Sequence, residues 1–373
     1  MKMRMTRKKE NQMSCKTFIT GVLLILIFMP AVAQNSSETR SFMKTFPVGR
    51  EISLELTNKY GTIQVTTWEK DSVYIRAEIK AYAPNQDKLT SMFDGITINI
   101  ADVGSIVKAQ TVFTQNFNRL FESFKGMTSK IISYDSRIEI NYFINVPEYL
   151  NIKIENKYGD VYMENCTGKF SVSISNGSFK ANSLGRESSI SMSFCNAEIS
   201  SISSGSIDAS FSEISADKIG DVSINSISSK YNLKDAGEIR FESRRDKFFI
   251  DNIGSMLGNS YFTDFTVKNL KKEINLTTRY GNIETDSIEK GFESINLNSG
   301  YTDIFLNFDE NSSYNLDIRH ISTFLALPSK NTKTQQKTLD EEKKEFITYG
   351  TVGNSPGSAK VKIDATRCKI YLK

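Results

Sequence analysis

From Asn151 onward the chain alternates apolar with small polar residues in short runs, the period-two pattern of strands with one buried face. The inward pairs read Ile152 and Ile154, Val172 and Ile174, Ile190 and Met192, Ile207 and Ala209, Val222 and Ile224, Ile239 and Phe241. Their first members lie 20, 18, 17, 15 and 17 residues apart, and Ile274 with Leu276, Ile295 with Leu297 and Val361 with Ile363 extend the series. Between pairs come a turn, such as Asn176-Gly177, and a second alternating piece such as Phe179 and Ala181. A unit of two short strands cannot bury its own apolar face, so neighbouring units must stack to make a continuous core. The expected fold is therefore all-β, a parallel β-solenoid (single-stranded β-helix) of roughly 18-residue coils. An antiparallel β-sandwich is the alternative, because it too uses short strands with turns every ~8–12 residues.

One turn is written three times: Leu56-Thr-Asn-Lys-Tyr-Gly-Thr-Ile63, Ile154-Glu-Asn-Lys-Tyr-Gly-Asp-Val161 and Leu276-Thr-Thr-Arg-Tyr-Gly-Asn-Ile283. Tyr60-Gly61, Tyr158-Gly159 and Tyr280-Gly281 thus occupy one structural position, with the tyrosine packing beside a glycine that supplies a tight backbone path. On the face opposite the core, Ser171, Ser173, Ser175, Ser189, Ser191 and Ser193 should line up as ladders when units stack. Such a face is either a polar contact surface or simply a soluble one.

Two stretches break the rhythm. Phe117, Leu120, Phe121 and Phe124 fall at helical spacing within 114–130, which predicts an amphipathic helix that caps the stack or offers Phe117, Phe121 and Phe124 to a partner. The polar, charge-rich segment 329–344 has no apolar period and reads as a mobile surface loop. The chain is accordingly divided into a leader at 1–33, an N-terminal β region with the inserted helix at 34–145, and the repeats at 146–373.

The leader has the three parts of a secretory signal peptide: a basic start (Lys2, Arg4, Arg7, Lys8, Lys9, Lys16), an apolar run from Gly21 to Met29, and Ala31-Val32-Ala33 before Gln34. Cleavage after Ala33 is expected. The apolar run is shorter than the ~20 residues of a spanning helix, and no cysteine follows the small residues to carry a lipid. The leader holds six of the 47 Lys/Arg and one of the 43 Asp/Glu, leaving 41 basic against 42 acidic residues. A near-neutral chain with no Lys/Arg stripe gives no footing for nucleic acid. Three cysteines remain after the leader, Cys166, Cys195 and Cys368, too few and too scattered for a disulfide framework, so buried thiols are expected.

The repeated Asn-Lys-Tyr-Gly units, the lead-in Val146-Pro147-Glu148-Tyr149-Leu150 and the closing stretch Gly350 to Leu372 resemble a bacterial envelope family of β-strand-repeat domains, frequent in Bacteroidota and labelled a candidate adhesin or a domain of unknown function. The resemblance implies an exported β-helical protein of the periplasm or outer cell surface. It also draws attention to Asp71-Ser72-Val73 and Asp286-Ser287-Ile288, which look like the short acceptor used for O-glycosylation in that phylum, at Ser72 and Ser287.

Catalytic chemistry has little to build on. His320 is the one histidine, its alternation with Leu316 and Ile318 places it at the core edge, and no Gly-x-Ser-x-Gly elbow, phosphate-binding glycine loop or His-Glu-x-x-His helix occurs. No cofactor or metal is expected. An acidic-polysaccharide enzyme would draw on Arg240, Arg244, Arg245 and Asp246, against which stands a charged bend between coils. The function expected is non-enzymatic presentation of a polar surface to a glycan or envelope protein, with self-association through the ends of the stack. The alternatives are a polysaccharide-processing β-helix, or a periplasmic regulatory protein acting through the predicted helix.

Overall fold

The computed structural model describes residues 36–115, 117, 136–354 and 358–373. The leader with Ala31, Ala33 and Gln34, and the predicted helix beyond Phe117 with Phe121 and Phe124, lie outside the described residues.

The protein is all-β, with parallel and antiparallel pairings combined in one large mixed sheet. Strand Asn151–Lys157 pairs in parallel with Phe170–Ser175, which pairs with Ser188–Ser193, which pairs with the second half of Asn196–Ser210. The series continues through Glu213–Ile227, Lys230–Arg244 and Lys247–Ile288. Ile152 lies opposite Phe170, Val172 opposite Ile190, Ile190 opposite Ile207, Ile207 opposite Ile224, and Ile224 opposite Phe241. The true spacing is thus eighteen residues and then a steady seventeen. The uneven sequence spacing arises because Val222 stands opposite Gly205, a position with no side chain to announce it.

All of the inward residues named above are buried, as period-two alternation requires. Register is held tightly, since a slip of one residue would turn this whole set to solvent. On the outer face, Lys180–Glu198, Lys230–Glu213 and Lys234–Asp217 pair charges between neighbouring strands, and Lys268–Asp251 does so between two parts of the long strand Lys247–Ile288. Each such exposed pair adds little stability, but same-sign neighbours would penalise a shifted register.

The parallel ladder runs into the N-terminal region without a break: Leu54 lies opposite Ile152 and Ile63 opposite Val161. There it meets antiparallel strands, with Ser36–Pro47 on Ser72–Ala83 and Ile96–Val103 on Ile106–Phe113. A short helix, Gln86–Asp94, packs here. Asn85 caps it by accepting from Lys88 N, and Leu89 and Phe93, one turn apart, are its buried face.

One sequence expectation is corrected. The segment 329–344 is not an unstructured loop: Thr332–Asp340 is a strand, antiparallel to Glu345–Val352. Its side chains are largely exposed on both faces, which erases the apolar alternation by which strands are recognised. With Lys333 and Lys337 along it, the strand presents a charged edge at that end of the sheet. Of the two roles expected for Phe117, packing on the stack or facing a partner, its burial against Phe113, with ring centroids 5.0 Å apart, fits the first. Finally, the helix Gln86–Asp94 was not foreseen, because a nine-residue helix shows only one apolar i,i+4 pair.

Candidate functional site

Each repeat turns its corner on one residue in the left-handed backbone region. These are Tyr60, Tyr158, Asn176, Phe194, Phe211, Ser228, Arg245, Phe262, Tyr280 and Tyr301, with φ between 50° and 67°. Bulky residues adopt this region at a cost of ~1–2 kcal/mol each. Stacking offsets part of it: Tyr60 on Tyr158 (5.6 Å), Phe194 on Phe211 (5.0 Å), and Phe262 on Tyr280 and Tyr280 on Tyr301 (4.6 and 5.1 Å). The tyrosine of the repeated motif is therefore itself the left-handed residue, and the glycine after it serves close approach. A Cβ on Gly159 would stand 1.9 Å from Gly61 O. Asn156, of the same motif, points inward and donates from Nδ2 to Gly61 O (3.0 Å) and Asp160 O (3.1 Å), closing the bend.

Inside this corner runs a hydrogen-bonded column. Ser212 Oγ accepts from Cys195 N (3.1 Å) and donates to Ser210 O (2.8 Å), and Ser229 Oγ accepts from Ser212 N (3.2 Å) and donates to Ile227 O (3.1 Å). In the next strand the position is Asp246, which accepts from Ser229 N (2.7 Å), Ser243 Oγ (2.6 Å) and Arg244 N (3.1 Å). The structure thus separates the charged cluster. Asp246 is buried inside the corner, Arg240 lies outside in an ion pair with Glu238 (2.6 Å), and Arg244 and Arg245 project to solvent. A catalytic groove combining Asp246 with those arginines is not formed.

Burial pushes the Asp246 carboxyl above its ordinary value of 3.8, against the hydrogen bonds from Ser243 and the backbone. Ionising it costs the folded state, so the stability its protonated form contributes is complete below pH 3.8 and lost as pH rises through the elevated value. Asp246→Ser restores the hydroxyl of the neighbouring strands, and its melting temperature should fall less than that of the parent over this window. Asp246→Ala, which strands the N–H groups of Ser229 and Arg244, should cost ~1–3 kcal/mol in denaturant unfolding.

His320 is buried, 3.5 Å from Thr348 Oγ1 and stacked on Phe346, and burial holds its pKa below the usual 6.5. It belongs to the core edge. Cys166, Cys195 and Cys368 are buried free thiols. Ser72 opens strand Ser72–Ala83 and Ser287 is the penultimate residue of Lys247–Ile288; both are half-buried. Among the described residues, no group of three or more His, Cys, Asp or Glu could hold a metal, and no helix is long and apolar enough to cross a membrane.

What the sequence did not reveal is a groove of about 1030 Å³ crossing the outer face from Ser191 to Arg279. Its floor is one column of directly opposed residues, Ser191, Asp208, Asn225, Glu242 and Asn259, the continuation of the serine ladder. The polar atoms are held in place: Asn225 Nδ2 donates to Asp208 Oδ1 (3.0 Å) and Asn259 Nδ2 to Glu242 Oε1 (2.8 Å). The wall is a second column, Ser193, Ser210, Ile227, Arg244 and Tyr261, followed by Arg279. Tyr261 is 38% exposed, and its ring stands edge-on to Phe262 (4.7 Å) and Tyr280 (5.5 Å), so the aromatic corner fixes it. Beyond the wall that corner continues the surface with exposed Phe194, Phe211 and Phe262. Seventeen-residue recurrence of Asp208, Asn225, Glu242 and Asn259 was the available signal; only the true register turns it into a column.

No protein-family model matches the chain, and no curated protein matches it. Two of the solved structures similar to it are described by their overlap. One, a candidate cell adhesion protein from Clostridium sporogenes ATCC 15579, is 11% identical, with 90% of this chain and 99% of that chain covered and a TM-score of 0.20. The other, a candidate adhesin from Bacteroides fragilis NCTC 9343, is 15% identical, with 72% of this chain and 97% of that chain covered and a TM-score of 0.28. Overlap this slight carries neither fold nor function across, and both rest on the chain's own geometry.

Proposed function

We propose that the protein is an exported β-solenoid of the cell envelope that binds an extended glycan along the groove between Ser191 and Arg279, without turning it over. The solenoid reading is supported by the parallel pairing of successive repeats at a fixed seventeen-residue offset. Export is supported by the basic, apolar and small-residue succession that ends at Ala33.

The observation that carries the binding reading is the groove floor, a row of fixed carboxylates and amides beside a rigid tyrosine. Sugars present hydroxyls that pair with carboxylate and amide groups, and a flat carbon face that rests on an aromatic ring. Side chains already held by one another lose little freedom on binding, which favours affinity. A compact ligand would use one or two strands, whereas this column repeats over many, so a polymer suits it better.

A polysaccharide array probed with the purified exported chain, read for retention and for released product, tests this. Retention of at least one linear polysaccharide without product is expected, weakened about tenfold by Tyr261→Ala. Release of shortened product would contradict the non-enzymatic part, and silence on every glycan with the chain folded would contradict the glycan.

A further inference from the structure

The groove wall carries more than polarity. Arg244 stands directly opposite Tyr261. Arg279 belongs to the following coil, as the adjacent contacts Phe262 on Tyr280 and Asn282 Nδ2 to Asp264 Oδ1 (3.0 Å) establish. The order along the wall is therefore Arg, Tyr, Arg over three coils. Arg240, Arg319 and Arg367 each have an ion-pair or hydrogen-bond partner for the guanidinium. No ion pair holds Arg244 or Arg279 among the described residues, and both are exposed within the groove.

Neighbouring coils are ~4.8 Å apart, so the two guanidinium groups recur at roughly 10 Å along the axis. One coil matches the length of one pyranose unit in an extended chain, and two coils match a disaccharide. The floor has the same two-coil period, with carboxylates at Asp208 and Glu242 and amides at Asn225 and Asn259. We infer that the groove selects an acidic polysaccharide with a disaccharide repeat, bearing one carboxylate or sulfate on every second sugar. This inference rests on the glycan reading above and adds the charge and its spacing.

Three features favour that ligand. Guanidinium groups pair with carboxylate or sulfate in a forked geometry, and a two-coil spacing engages alternate sugars at once. The intervening Tyr261 meets the uncharged sugar between them. A chain charged on every sugar would also set an anion over the coil of Asn259 and Tyr261, where no guanidinium faces it and the ring meets a charged sugar instead of an uncharged one. An acidic peptide fits less well, because side chains on one face of an extended peptide recur at ~7 Å and fall out of step with the arginines.

The test uses the full exported chain with four probes of matched length. These are hyaluronan oligosaccharides (uronate on alternate sugars), oligogalacturonate (uronate on every sugar), cello-oligosaccharide (neutral) and poly-glutamate. Hyaluronan should bind about tenfold or more tightly than the other three, with affinity falling as salt rises. A sulfated alternating glycan run beside hyaluronan separates sulfate from carboxylate preference; either one leading supports the inference. Arg244→Ala and Arg279→Ala should each weaken binding about tenfold and the double variant should abolish the preference over the neutral chain. Arg240→Ala, outside the groove, should leave binding unchanged, and circular dichroism confirms that each variant is folded.

Equal binding of neutral and alternating chains, or a double variant that keeps the preference, overturns the acidic selection while glycan binding stands. Strongest binding to poly-glutamate overturns it in favour of an acidic protein partner. Silence on all the glycans overturns both readings.

Discussion

Ile207→Asp should lower the melting temperature by far more than any surface change and open the centre of the stack to protease. Ile207 is 1% exposed and lies between Ile190 and Ile224, its partners in the two flanking strands. An unpaired carboxyl there loses its water with no donor to replace it, at ~2–7 kcal/mol. That is a large share of the ~5–15 kcal/mol that holds a typical domain together. In a stack where each unit touches only its neighbours, damage should spread a few repeats and leave both ends folded. Limited proteolysis with mass spectrometry should therefore cut first around 190–224, and circular dichroism should show a broadened, earlier transition. Ser223→Asp, on the outer face of the next strand beside Ile224, should stay within ~0.5 kcal/mol of the parent. Equal melting of the two variants would show the inward assignment to be wrong.

Gly159→Ala is the second large effect, and it addresses the bends instead of the core. A methyl group there would sit 1.9 Å from Gly61 O and 2.6 Å from Gly61 C, contacts that backbone cannot accept without moving. The next repeat has the same demand, since a Cβ on Gly177 would stand 2.1 Å from Gly159 O. Forcing apart two strands joined at Gly61 and Gly159 should cost ~3 kcal/mol or more, beyond the usual range for an added methylene. Gly300→Ala is the matched control: the nearest neighbours of a Cβ there are Arg279 Cγ and Nε at 3.6 and 3.8 Å, and the change should be near neutral. Chemical denaturation of both variants gives the comparison directly. A Gly159→Ala protein as stable as Gly300→Ala would mean that the bends are not packed as closely as described.

These two positions also mark what the sequence makes legible. The core could be read residue by residue, from Ile152 to Ile363, because strand alternation exposes burial as a period of two. The repeated Asn-Lys-Tyr-Gly announced a bend but hid its mechanism. Nothing in the letters says that Tyr158 takes the left-handed conformation while Gly159 serves contact with the next strand, since that depends on a neighbour 98 residues earlier, at Gly61. Long-range pairing of this kind also concealed that Leu54 joins Ile152 in one ladder.

Polar residues were harder still. Asp208, Asn225, Glu242 and Asn259 differ in type, and only a known register shows them as one column. Charge grouping in the sequence pointed to Arg240, Arg244, Arg245 and Asp246 as one cluster, yet alternation and a bend send Asp246 inside and the arginines out. Thr332–Asp340 was missed because its register comes from backbone pairing with Glu345–Val352, with no buried face to mark it.

The most direct test of the account is a crystal structure of the protein grown with the oligosaccharide it retains most strongly. It should show coils paired in parallel at seventeen residues, with the sugar chain lying along the axis over Asp208, Asn225, Glu242 and Asn259 and one ring against Tyr261. Sugar bound at the N-terminal strands or on the hairpin 332–352, or repeats paired other than in parallel, would contradict it.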